Sequence, residues 1–192
     1  MERAATQIAR EIMSRWSKAH PVCVFAGPGN NGGDGLAVAR LLGSNGYRVR
    51  VWLFNVKGHM SPDCQRNRER MPRVPQVELR EVNRELTFPD IADDEVVVDA
   101  LFGTGLNKPI SGGFAVVVHK INSLHVPVVS IDVPSGLMCE DNTYNDRNNI
   151  IHATLTLTVQ LPKLAFFFAD NEPFVGTWQC VDIQLSAEGL VQ

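Results

Sequence analysis

The sequence predicts a three-layer α/β/α sandwich built around a mostly parallel sheet, and three observations carry that expectation. Apolar, β-branched runs alternate with helical patterns, as expected of a sheet covered by helices on both faces. The first of those runs, "VCVFAG" at 22–27, is apolar throughout, as a parallel strand buried on both faces reads. Glycine-bearing loops follow three of the runs, at 27–35, 103–113 and 132–136. In a doubly wound, Rossmann-like sheet such loops converge on the crevice beside the topological switch point.

The elements follow in order. Residues 2–18 place Ala5, Ile8, Ala9, Ile12, Met13 and Trp16 on one helical stripe, which packs on the sheet. The first strand covers 22–27. A helix over 35–46 carries Leu36, Ala39, Leu41 and Leu42 at helical spacing, with glycines to stop it. "YRVRVWLF" (47–54) alternates and reads as the second strand. A charged helix near 62–72 and a short strand over 77–82 come next. "DEVVVDALFG" (94–103) is another buried strand, and 114–124 is a helix with Phe114, Val117, Val118, Ile121 and Leu124 on one face. Strands are expected over 126–136, 152–161 and 176–185, with an exposed Asn/Asp-rich loop at 140–149. There is no internal repeat or low-complexity linker, so residues 1–192 are read as one domain.

Composition narrows the function. With 44% hydrophobic residues, 20% charged residues and a formal charge of −3, the chain lacks the basic footprint of a nucleic-acid binder. No apolar stretch approaches the roughly 20 residues of a membrane span, and the N-terminus has no signal-peptide core. Four cysteines show no metal or redox spacing. Cys23 and Cys180 fall inside strands and read as buried free thiols, which suits a reducing, cytoplasmic setting.

"AGPGNNGGDG" (26–35) contains a literal GxGxxG. An NAD fingerprint also needs an acidic residue about 20 positions on to hold the ribose hydroxyls. The second strand instead ends Leu53-Phe54-Asn55-Val56. A phosphate loop of the Walker type needs Gly-Lys-Ser/Thr, yet Gly33 precedes Asp34. What remains is a helix N-terminus able to bind an anion, decorated with Asn30, Asn31 and Asp34, each of which could also serve as a cap or turn residue. Asp99 closes the Val96–Val98 run and should be buried, where an unpaired charge is expensive. Either a cage of backbone amides or a hard cation held by oxygen ligands would satisfy it. Asp132 ends another strand and is a candidate acid or base, with Lys108 and Lys163 weaker candidates.

"GPGNNGGDG", "VVDALFGTGL" and "SIDVPSG", in this order and spacing, resemble the NAD(P)HX epimerase family, also called the YjeF N-terminal domain family. The likeness runs from Met1 to about residue 185. It implies an enzyme that interconverts the R and S forms of hydrated NADH and NADPH, and that binds one potassium ion per subunit. By motif, Asn30, Asn31, Gly32, Gly33 and Asp34 would contact the dinucleotide. So would Gly103, Thr104, Gly105, Leu106, Asn107, Lys108 and Pro109, together with Asp132 as the catalytic group. Asn31, Asp99 and Ser135 would hold the potassium ion. The resemblance further implies a homo-oligomer, a helical segment before Met1 and, after Gln192, the ADP- or ATP-dependent dehydratase domain that many bacterial members carry. A non-catalytic scaffold of the same fold is the alternative, although such a member would be expected to lose this polar set.

Overall fold

Strand order fixes where a ligand can sit. The computed structural model describes residues 1–56, 58–84 and 88–184. Seven strands form one sheet in the order β3-β2-β1-β4-β5-β6-β7: β1 Val22–Ala26, β2 Val49–Phe54, β3 Val77–Val82, β4 Val96–Ala100, β5 Val128–Ile131, β6 Leu155–Val159 and β7 Thr177–Val181. Every pairing is parallel, whereas the sequence led us to expect a mostly parallel sheet. Winding reverses between β1 and β4, so the switch point lies where two of the glycine-bearing loops leave the sheet.

Helices α1 (Glu2–Arg15), α2 (Asn30–Ser44) and α3 (Pro62–Arg70) pack on one face, in a core with Ile8, Ile12, Leu36, Leu42 and Leu53. On the other face lies α4 (Gly113–Asn122), whose Val117, Val118 and Ile121 are fully buried against Phe25, Val97 and Leu101. A third, smaller cluster lies beyond the end of β5. There Val133, Leu137 and Ile150 meet Phe166 from a short 3-10 turn (Leu164–Phe167) and Phe174 and Val175 from the brief helix α5 (Glu172–Val175). The sequence carries no strong periodicity for either, because neither is long enough to repeat an apolar stripe.

Three expectations change. The helix expected from residue 35 begins at Asn30 with Gly29 as N-cap, so Asn30–Asp34 are its first turns and not a loop. Asp34 is therefore not the capping residue. Glycine and asparagine weaken a helix by propensity, but packing overrides that here. A Cβ on Gly32 would lie 1.7 Å from the Gly27 carbonyl oxygen, and one on Gly27 would lie 2.0 Å from the Leu101 oxygen. Only glycines let the helix start descend onto the β1 and β4 ends. The exposed stretch at 140–149 ends in a 3-10 turn at Arg147–Asn149, whose Asn149 is buried and donates to the Ile110 carbonyl at 2.9 Å. Cys180 is only partly buried, because β7 is an edge strand; all four cysteines are free. The last residue of the strand expected over 176–185, and the domain end at 192, lie outside the described residues.

Candidate functional site

At the switch point a cleft of about 560 Å³ opens between the ends of β1, β4 and β5. Its walls come from the start of α2, from the loop after β4 and from Asp132. Asn30, Asn31 and Asp34 line it from one side, and Gly103 to Lys108 from the other. Gly32 and Gly33 stand behind the wall, packed on Gly27 and on Met1 and Cys64. Pro109 is exposed and outside the cleft lining. The α2 amides from Asn30 to Gly32 precede the first intrahelical bond, which Gly33 donates to the Gly29 carbonyl at 3.0 Å. Among the described residues they have no acceptor, as a helix start that receives an anion such as a pyrophosphate would.

Asp132 is held in a conformation that few side chains adopt. Its φ of 67° lies in the left-handed region, where a non-glycine residue persists only if its surroundings fix it. They do so twice. Its backbone N–H donates to the Leu157 carbonyl at 2.8 Å. Its Oδ1 receives Lys163 Nζ at 2.9 Å, the Val159 amide at 3.1 Å and the Thr158 hydroxyl at 3.3 Å. All three donors meet Oδ1, so among the described residues Oδ2 has no protein donor. This is how a positioned acid–base group should be arranged: one oxygen anchored, the other available to a ligand. Nothing local in the sequence links Lys163 to a residue 31 positions earlier; the fold brings the two together.

Asp99 is fully buried, and its carboxylate is surrounded by two backbone amides and two serine hydroxyls, where the sequence offered amides alone or a cation. Oδ1 accepts from the Leu101 amide at 3.2 Å and the Ser135 hydroxyl at 2.5 Å. Oδ2 accepts from the Ser130 hydroxyl and the Ser135 amide, both at 2.8 Å. Burial raises the Asp99 carboxyl above its ordinary range, and these hydrogen bonds pull it back in part. The burial of Asp99 thus needs no cation to explain it. One carbonyl oxygen beside it is nonetheless left sharing a proton. Among the described residues the Phe102 carbonyl has only the Ser135 hydroxyl as a donor, at 3.2 Å, and that single proton already serves Asp99. Asn31 presses its side chain toward Gly103, and its buried amide nitrogen has no partner among the described residues.

Asp34 is the least settled group in the cleft. One of its carboxyl oxygens is buried without a hydrogen-bond partner among the described residues. Burial pushes its carboxyl up to about 7; the N-terminal ammonium pulls against it, and the charges of Asp132 and Asp63 add smaller upward pushes. Between about pH 4 and 7 the native state therefore binds more protons here than the unfolded chain does. The stability this group contributes is full below about pH 4 and is lost as pH rises toward 7. Replacing Asp34 with Asn should remove that fall, which is on the order of 2–4 kcal/mol. Denaturant melts of both proteins across this range, read as a difference, check it. Parallel curves would show that the carboxyl is ordinary.

The family described as "YjeF-related protein N-terminus" matches residues 1–165. The chain is 31% identical over 179 residues to a protein of Limosilactobacillus fermentum named NAD(P)H-hydrate epimerase, covering 92% of this chain and 81% of that one. It is 33% identical to a Lentilactobacillus buchneri protein of the same name, covering 95% and 82%. A Thermofilum pendens protein named bifunctional NAD(P)H-hydrate repair enzyme Nnr is 38% identical over 85% of this chain, which spans only 31% of that relative's length. Among solved structures, the crystal structure of yeast ynu0 superposes with a TM-score of 0.72 at 23% identity, covering 95% of this chain and 76% of that one. That likeness bears on the fold alone.

Proposed function

The chain belongs to the family of YjeF-related protein N-termini, and from that membership we infer that it is an NAD(P)H-hydrate epimerase, an isomerase that interconverts the R and S forms of hydrated NADH and NADPH. The observation that carries the reading is Asp132, strained in backbone and anchored through one carboxyl oxygen, in a cleft that also presents a helix N-terminus. The helix amides suit the pyrophosphate. Asn107, Lys108 and the glycine-bearing loop after β4 would close over the dinucleotide.

The hydrated ring carbon bears both a hydroxyl and the ring nitrogen, so it is a hemiaminal. The Asp132 carboxylate, paired with the Lys163 ammonium, is arranged to act first as a base. It takes the hydroxyl proton, a carbonyl forms and the carbon–nitrogen bond breaks. The electron pair passes to the ring nitrogen, conjugated with the ring double bond and carboxamide. Rotation exposes the other carbonyl face, nitrogen adds back, and Asp132 returns the proton. Loss of the hydroxyl to a planar iminium, with water returning to either face, uses the same group as acid and then base.

Asn31, Asp99 and Ser135 would hold a potassium ion. They fit it in kind, offering an amide, a carboxylate and a hydroxyl, and the proton-poor Phe102 carbonyl beside them supports this set. Such an ion would tie together the segments after β1, β4 and β5. We place the protein in the cytoplasm, a reading its four free thiols support; among the described residues no helix is long and apolar enough to cross a membrane. A homo-oligomer, and linkage to a dehydratase domain as the bifunctional relatives' name suggests, complete the proposal. Adding the protein to epimerically pure NADHX and following both epimers by chromatography tests the activity. Interconversion no faster than in buffer would overturn it.

A further inference from the structure

We propose that a second, apolar cleft, at the carboxyl ends of β2 and β3, receives the adenosine half of the dinucleotide. The proposal rests on the epimerase reading and extends it to the part of the substrate remote from the chemistry. This cleft measures about 580 Å³ and meets the first one at Pro28 and Phe102, which line both. Its walls are mostly apolar: Phe54, Val56, Val82 and Phe114 join Phe102. The Phe102 and Phe114 rings meet edge-on at 4.7 Å, and Phe54 lies 5.9 Å from Phe114. Val56 is 54% exposed at the opening, an apolar side chain left in water. Arg84 and His59 also line the cleft, and among the described residues no carboxylate does.

A purine is a flat aromatic body that gains most from such walls. The geometry of parallel sheets supplies the direction. A dinucleotide lies across the strand ends at the switch point, so with its hydrated ring at Asp132 on the β5 side, its other half extends past β1 toward β2 and β3. The end of β2 explains a discrepancy in the motif. Where dehydrogenases carry a carboxylate for the ribose, this strand ends Phe54-Asn55. A neutral residue there, with Arg84 nearby in the cleft, does not repel a 2′-phosphate, so one site takes both NADHX and NADPHX.

Filling the cleft tests this. In Val56→Trp the indole would occupy the space assigned to the purine. The preference for NADHX over hydrated reduced nicotinamide mononucleotide, measured as the ratio of kcat/KM values, should fall roughly tenfold or more. A ratio equal to that of the wild type, including parallel loss on both substrates, overturns the proposal. AMP supplies an independent readout by calorimetry. It should bind the wild type and bind Val56→Trp at least about tenfold more weakly, whatever the protein does to NADHX. Equal AMP binding overturns the cleft assignment, while absent epimerisation with AMP binding lost in the variant overturns only the activity. Arg84→Glu, an exposed change that leaves the apolar walls in place, should weaken AMP in the same direction.

Discussion

Asp132→Asn is expected to lower the turnover of NADHX epimers by about 10²–10⁴-fold, the usual contribution of a positioned acid–base group. The substitution is chosen to spare the fold. Asparagine tolerates the left-handed backbone better than any other residue except glycine. Its amide oxygen can still accept from the Val159 amide and the Thr158 hydroxyl. What disappears is the exchangeable proton and the charge facing Lys163. The loss should therefore appear in kcat, with KM and melting temperature close to those of the wild type, measured on purified epimers. Retention of near wild-type turnover would remove Asp132 from the chemistry and leave it a turn residue held by its neighbours.

Asp99→Ala should be the most destabilising single change at the site. It strips the acceptor from the Leu101 and Ser135 amides and from the Ser130 and Ser135 hydroxyls, all in buried surroundings. Hydroxyls can turn to other acceptors, but the two amides cannot. At about 1–3 kcal/mol for each orphaned donor, the loss is roughly 2–6 kcal/mol, a large share of a domain stability of about 5–15 kcal/mol. The same residue reports on the cation. A potassium ion bound only to the native state adds RT ln(1 + [L]/Kd), about 2.7 kcal/mol at 100 times Kd. The wild type should thus melt higher in potassium chloride than in lithium chloride of equal concentration, and Asp99→Ala should erase that difference. Identical wild-type melts in the two salts would sink the cation site. The hydrogen-bond account would survive, since it requires Asp99→Ala to be weakened in either salt.

The architecture and the place of the crevice were legible in the sequence because long-period patterns encode them. Buried parallel strands read as apolar runs, α4 reads as a stripe of Val117, Val118 and Ile121, and the winding follows once strands alternate with helices. The three motifs placed Asp34, Asp99 and Asp132 at strand ends or helix starts, and all three do lie at the switch point. Local composition misled where contacts override propensity. "NNGGDG" reads as a loop by its glycines and asparagines, yet it is helical because only glycines can sit where Gly32 meets the Gly27 carbonyl and Gly35 meets Ala100.

The sequence by itself determined the family and the parallel α/β frame, since these depend on residue type and order along the chain, and it singled out three carboxylates as candidates. Tertiary structure decided what each carboxylate has become. Asp99 is caged by serines 31 and 36 positions away, Asp132 is anchored by a lysine 31 positions on, and Asp34 is left short of partners. Ionisation and hydrogen bonding depend on distances of a few ångströms between segments remote in the chain, and on the water excluded between them. No local pattern carries that information until the strands are side by side.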